Sequence, residues 1–91
     1  MTDYISSLIT ELPSTPGVYM FFNQNQEIIY IGKAVKLKAR VSSYFRQSNT
    51  LDGAKRAMVA EITDLQIYPC DSEIEALILE AQLIKKYNPR Y

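Results

Sequence analysis

The apolar positions of the chain change period several times, and each change marks an element. Ile5, Leu8, Ile9 and Leu12 recur at i, i+3, i+4 and i+7, which predicts a short amphipathic helix over 2–12 that Pro13 stops. Ser14-Thr15-Pro16-Gly17 is a cluster of helix breakers. Val18–Phe22 and Glu27–Ile31 are dense in β-branched and aromatic residues, and the polar run Asn23–Gln26 between them predicts a β-hairpin. Over 35–46 the helical period returns, with Leu37, Val41, Tyr44 and Phe45 on one face and Lys36, Arg40 and Ser43 on the neighbouring stripe. Ser48–Gly53 reads as a polar loop and 54–63 as a further helix. Leu65, Ile67 and Tyr68 predict a third strand closed by Pro69. Ser72-Glu73-Ile74-Glu75 is a capping box that opens a last helix to Tyr87, ended by Asn88-Pro89.

The predicted order is therefore α-β-β-α-α-β-α, an α+β fold in which a small antiparallel sheet of about three strands is flanked by α-helices. A parallel doubly wound sheet needs regular strand–helix alternation, which is missing. At 91 residues, with no linker or repeat, residues 1–91 are expected to form a single domain.

Composition narrows the chemistry. A hydrophobic share of 47% with 22% charged residues argues against disorder. The sequence has no histidine, so Ser-His-Asp and Cys-His catalysis, histidine-ligated zinc and histidine-based nucleases are excluded. A lone cysteine, Cys70, rules out an intramolecular disulfide or a cysteine metal cluster and is expected to be a small buried apolar residue. No apolar run approaches the roughly 20 residues that span a bilayer, and no basic-then-apolar leader opens the chain, so a cytoplasmic, non-membrane domain is expected.

Ten basic and ten acidic residues cancel, but they are segregated. Residues 33–56 carry Lys33, Lys36, Lys38, Arg40, Arg46, Lys55 and Arg56 against Asp52 alone, a local charge of +6. Residues 57–80 carry six acids and no base. A basic surface can hold a polyanion when the acids lie farther off than the roughly 10 Å screening length. Two solvated helix faces of opposite sign explain the same pattern. Lys85, Lys86 and Arg90 make a second basic group near the C-terminus.

Two local features carry candidate chemistry. With the hairpin turn centred between Gln24 and Asn25, Tyr19 is expected opposite Tyr30 and Gly17 opposite Gly32, with 17, 19 and 21 on the same face as 28, 30 and 32. On the last helix, the i±3 and i±4 neighbours of Glu80 are Ala76, Leu77, Leu83 and Ile84, and a carboxylate within such an apolar face needs a cation, a donor or solvent. Glu73 and Glu75 are explained by capping and the helix dipole.

Gly17-Val18-Tyr19, Tyr30-Ile31-Gly32-Lys33-Ala34, Leu37, Arg40 and Ser43-Tyr44-Phe45 resemble the GIY-YIG nuclease family. Together with Ser72-Glu73, Glu75-Ala76-Leu77, Leu79-Glu80, Leu83-Ile84-Lys85 and Pro89-Arg90-Tyr91, they are closest to its branch of N-terminal catalytic domains of the excinuclease subunit UvrC. The resemblance runs over nearly the whole chain. It implies a metal-dependent endonuclease that hydrolyses a DNA phosphodiester with one divalent cation, Mg²⁺ or Mn²⁺, and no small-molecule cofactor.

By the same resemblance the catalytic residues are Tyr19, Tyr30, Lys33, Arg40, Tyr44 and Glu80, with Glu80 the metal ligand and Gly17 and Gly32 structural at the site. General base falls to Tyr19 or Tyr30, without a choice between them. Gly32 is expected to permit close approach of backbone or phosphate where the strand ends. Lys33, Lys36, Lys38, Arg40, Lys55 and Arg56 are expected to track DNA phosphates. The implied role is the 3′-side incision of nucleotide excision repair, on damaged duplex DNA presented by a UvrB–DNA complex. A stand-alone relative and a non-catalytic DNA-binding or docking module of the same fold are the alternatives. Two features depart from the family pattern. Position 82 is Gln where relatives commonly have Asn, and an asparagine that supports the site follows the Pro-Arg-Tyr run in relatives, so the chain is expected to be the N-terminal part of a longer protein.

Overall fold

The computed structural model describes residues 2–46 and 52–91. It contains α1 (Asp3–Thr10), β1 (Gly17–Phe22), β2 (Ile28–Ala34), α2 (Leu37–Arg46), α3 (Gly53–Glu61), β3 (Asp64–Pro69) and α4 (Glu73–Tyr87). The order matches the expectation from the periodicity. Most of the anticipated 48–53 loop lies outside the described residues.

The strands form one antiparallel sheet in the order β2-β1-β3. As the central strand, β1 is covered on both faces, which explains why GVYMFF is apolar throughout. Tyr19 and Phe21 face a core built with Ile5, Leu37, Val41, Tyr44, Met58 and Ile62, contributed by α1, α2, α3 and the turn after α3. Val18 and Met20 face the opposite way and pack with Ile31, Cys70 and Ala76, against α4. Cys70 is buried, as expected of a small apolar residue.

The breaker segment before β1 ties the layers together. Pro13 and Thr15 carbonyls accept the Lys38 and Leu37 amides at 3.1 and 3.0 Å, satisfying two orphan donors at the start of α2. The Pro16 carbonyl accepts the Cys70 amide just after β3 at 2.8 Å. The Ser72 hydroxyl caps α4 by accepting the Glu75 amide at 3.1 Å, and Asn88 closes the helix with a left-handed φ of 46°. Among the described residues, no helix is long and apolar enough to cross a membrane.

The hairpin corrects the expected register. Tyr19 pairs with Gly32 and Phe21 with Tyr30, while Gly17 pairs with Ala34. Asn23 explains half of the shift. Its Oδ1 accepts the amides of Asn25 and Glu27 at 2.9 and 3.1 Å, building a three-residue loop in which Gln26 takes a left-handed φ of 62°. A β-bulge beyond Phe22–Ile28 supplies the rest, because Ile29 is an extra residue on β2. The bulge also turns Ile29 and Tyr30 to the same core, whereas Ile28 packs with the α4 layer and leaves the face on which periodicity put it. Two successive one-residue shifts restore the alternation, so Tyr19 and Tyr30 still share a face, now as diagonal neighbours.

Candidate active site

The site is assembled where β1, β2 and α2 meet. Tyr19 from β1 and Tyr44 from α2 are buried, and their hydroxyls share a hydrogen bond of 2.9 Å. The Tyr19, Tyr30 and Tyr44 rings lie 5.9–6.2 Å apart, centroid to centroid. Phe21 sits among them, 5.3 Å from Tyr19 and Tyr44 and stacked on Tyr30 at 6.1 Å. Such aromatic packing fixes the hydroxyls in space. Phe21 belongs to the site's support although no motif marks it. The available signal was its strand parity with Tyr19.

Arg40 projects from α2 over this cluster. Its Cζ lies 5.2 Å from the Tyr44 ring centroid, and Nη2 donates to the Tyr44 hydroxyl at a long 3.5 Å. The guanidinium is held above its ordinary range, chiefly by hydrogen bonding with the Tyr19 phenol. Burial pushes the Tyr19 phenol well up, and the bond to Tyr44 adds to it. Tyr30 is half-buried, and its phenol is pushed up to about 12, again first by burial and then by Tyr44, while Tyr19 and Arg40 pull it down. The two tyrosines thus differ. Tyr19 is enclosed and bonded, whereas Tyr30 reaches solvent.

Gly32 has a more particular reason than a strand end. A Cβ built there would lie 2.4 Å from the Tyr19 hydroxyl oxygen, 2.5 Å from Tyr19 Cζ and 2.9 Å from Tyr30 Cε2. Among the protein groups around Gly32, the approaching one is the Tyr19 ring. Gly17 plays a packing role, since a Cβ there would lie 2.6 Å from both Leu37 Cδ1 and the Tyr68 carbonyl. Gly32→Ala is expected to cost about 1–3 kcal/mol through overpacking, with cleavage falling as the Tyr19 and Tyr30 rings are displaced. Gly53→Ala, with open space around the added methyl, serves as the control. Thermal melts and nicking assays of the two variants check this, and equal behaviour would remove the steric role of Gly32.

Lys33 is adjacent in sequence to Gly32 but points to the other face of the sheet, the α4 side, as its pairing with Val18 requires. β2 is an edge strand, so the predicted residues wrap around its edge. Lys33, Lys36 and Arg40 line one groove of 840 Å³ with the start of α4. Glu80 lies one turn along α4 from Ala76 and Leu77, which line that groove.

The surroundings of Glu80 differ from the expectation. Ala76, Leu79 and Leu83 form the inward row of α4, while Leu77 and Ile84 face outward. Glu80 therefore sits at the boundary, half-buried, and makes no hydrogen bond or ion pair among the described residues. A half-buried carboxylate without a protein partner is a fit donor for a hard cation. Among the described residues no cluster of three or more His, Cys, Asp or Glu exists, so water and phosphate oxygens would complete such a shell.

The remaining cations are not gathered at the groove. Lys38 Nζ donates to the Thr10 carbonyl at 3.2 Å, capping the end of α1. Lys55 and Arg56 stand on α3, where Arg56 lines a separate pocket beside Ile5 and Phe45. Arg90 pairs with Glu61, which also accepts the Tyr91 hydroxyl, while the Tyr91 amide donates to the Ile29 carbonyl at the bulge, 3.0 Å away. That tail contact spans 62 positions, from Ile29 to Tyr91, which no local pattern discloses.

A GVY strand and a YIG strand paired side by side, with an arginine helix closing over their tyrosines, define a GIY-YIG nuclease domain. Residues 15–91 match the model of the UvrC-like GIY-YIG domain, and the chain belongs to that family. UvrABC system protein C of Chlorobium luteolum is 48% identical over 83 residues, and that of Clostridium acetobutylicum 52% over 83 residues. Each alignment covers 91% of this chain and 13% of the relative, so the chain spans about an eighth of the relatives' length. Among solved structures, the GIY-YIG N-terminal endonuclease domain of UvrC from Thermotoga maritima, bound to its catalytic magnesium, superposes with a TM-score of 0.86 at 41% identity. That match covers 100% of this chain and 98% of the other. The antiparallel α+β fold expected from the sequence is thus the fold found.

Proposed function

We propose that this domain hydrolyses a phosphodiester of damaged duplex DNA with one divalent cation, Mg²⁺ or Mn²⁺, as the 3′-side incision of UvrABC-type nucleotide excision repair in the cytoplasm. The observation that carries the reading is Arg40 held against the Tyr19–Tyr44 hydroxyl pair while sharing a groove with Lys33. The magnesium bound by the Thermotoga maritima domain and the UvrABC names of the relatives support it. A UvrB–DNA complex would present the damaged site, which suits a domain of zero net charge with a weak general grip on DNA.

Glu80 would hold the cation, which when bound neutralises charge developing on the phosphoryl oxygens. Arg40 presents a planar fork to two of those oxygens. The Tyr19–Tyr44 pair positions Arg40 and limits its motion. Tyr30, the more exposed phenol, takes the general-base role in this reading. Its phenolate accepts a proton from the attacking water as the water oxygen bonds to phosphorus. The P–O3′ bond breaks, the departing 3′-oxygen takes a proton from solvent water, and 3′-hydroxyl and 5′-phosphate ends remain. Lys33 contributes positive charge from the α4 side of the edge.

The test is nicking of a lesion-bearing duplex with UvrB present, in Mg²⁺ or Mn²⁺, for the wild type and Arg40→Lys. Metal-dependent nicking 3′ of the lesion is expected. Arg40→Lys keeps the charge but loses the fork and should cut about 10²-fold more slowly. Absence of metal-dependent nicking would favour a DNA-docking module, and unaltered nicking by Arg40→Lys would remove the fork from the mechanism.

A further inference from the structure

The groove beside the site has two unlike walls. The β2–α2 wall carries Lys33, Lys36 and Arg40. Lys33 and Lys36 make no hydrogen bond or ion pair among the described residues. The α4 wall carries Ile74 and Leu77, which are 71% and 50% exposed, and Glu73. Val35, 54% exposed, stands at the turn between β2 and α2 and extends the apolar surface. Neither Ile74 nor Leu77 supports the core, because the inward row of that helix is Ala76, Leu79 and Leu83. Solvation does not explain apolar side chains gathered opposite unpaired cations. A ligand with anionic charge along one edge and a flat apolar body along the other does.

Resting on the nuclease reading above, we propose that this groove seats an unstacked nucleotide of the cleaved strand, next to the scissile phosphate. Its phosphates lie on Lys33 and Lys36, continuous with Arg40, and its base lies against Ile74 and Leu77. Glu73 repels phosphate from the α4 wall and so sets the orientation. Unstacking is least costly in a distorted or damaged duplex, and an apolar surface that accepts the freed base recovers part of that cost. The groove would thereby couple cutting to deformability of the duplex without reading base identity.

The experiment places 2-aminopurine in turn at each position 3′ of the lesion and titrates the duplex with the full chain, metal withheld. The variants are Ile74→Ser/Leu77→Ser and, as a control on the same helix outside the groove, Ile78→Ser, a position 55% exposed. The wild type and Ile78→Ser are expected to raise the fluorescence at one position only. The double variant should lose that rise and bind about tenfold more weakly. In Mg²⁺ its KM should rise by a similar factor while kcat stays within about twofold. Fluorescence that is equal at every position, or a double variant that binds DNA as the wild type does, overturns the proposal. So does a double variant that loses only its hold on UvrB, since the wall would then dock protein. Position-specific unstacking without any metal-dependent cutting would support the subsite and overturn the nuclease reading. Normal cutting with an unaffected double variant would do the reverse.

Discussion

Glu80→Gln should abolish nicking to within background, a loss of about 10³-fold or more, while leaving the domain folded. The loss follows from removing the one half-buried carboxylate beside the groove that lacks a protein partner among the described residues. A cation that neutralises developing phosphoryl charge contributes several kcal/mol to the transition state, and each 1.36 kcal/mol is a factor of ten. The amide is nearly isosteric and sits at the boundary of α4, outside the inward row of Ala76, Leu79 and Leu83, so packing is untouched. Calorimetric titration with Mn²⁺ supplies a second readout, with binding to the wild type and none to the variant. Glu80→Gln that still binds Mn²⁺ and nicks would move the metal elsewhere.

Tyr30→Phe should lower the rate by about 10²–10⁴-fold, the usual contribution of a positioned general base. The sign of the pH dependence follows from the raised phenol. With Tyr30 pushed up to about 12, mainly by burial, only about one molecule in 10⁴ carries the phenolate at pH 8. The reactive form therefore grows with pH, and the wild-type rate should rise about tenfold per unit between pH 7 and 9. Tyr30→Phe should be slow and flat over the same range. The phenyl ring retains its stack on Phe21 and loses only the interaction of its hydroxyl with Tyr44 and Tyr19, so Tm should fall by no more than about 4–8 °C. Tyr19→Phe offers the contrast. It breaks the 2.9 Å bond to Tyr44 beneath Arg40, and its rate should fall while the pH slope persists. A slope that survives in Tyr30→Phe but vanishes in Tyr19→Phe would exchange the two roles.

The predicted site residues divide between the two faces at the edge of β2. Tyr19, Tyr30, Tyr44 and Arg40 lie on the face covered by α2, while Lys33 and Glu80 belong to the side covered by α4. Strand parity alone separates Lys33 from Tyr30, three residues away. An edge strand lets both sets meet one extended ligand from opposite sides.

Much of this was legible without coordinates because it depends on local periodicity. The 3.6-residue spacing of Leu37, Val41 and Tyr44 and the capping serine at 72 were enough for the element order, and the solid apolar run of β1 is consistent with a strand covered on both faces. The motif residues themselves identified the tyrosine cluster and Arg40. The hairpin register was not legible. It depends on an asparagine side chain folding back on its own loop and on one extra residue at Ile29, and neither disturbs the apolar pattern. The need for glycine at 32 likewise appears only once the corrected register lays the Tyr19 ring across it. Lys38, Lys55 and Arg56 looked alike with Lys33 and Lys36 as charges in a line, yet helix placement sends them to different surfaces. Charge and hydropathy are properties of single positions, and they pass from sequence to element intact. Which positions meet across 13 residues, as Tyr19 and Gly32 do, or across 62, as Ile29 and Tyr91 do, is set by chain packing, where a shift of one residue changes every partner.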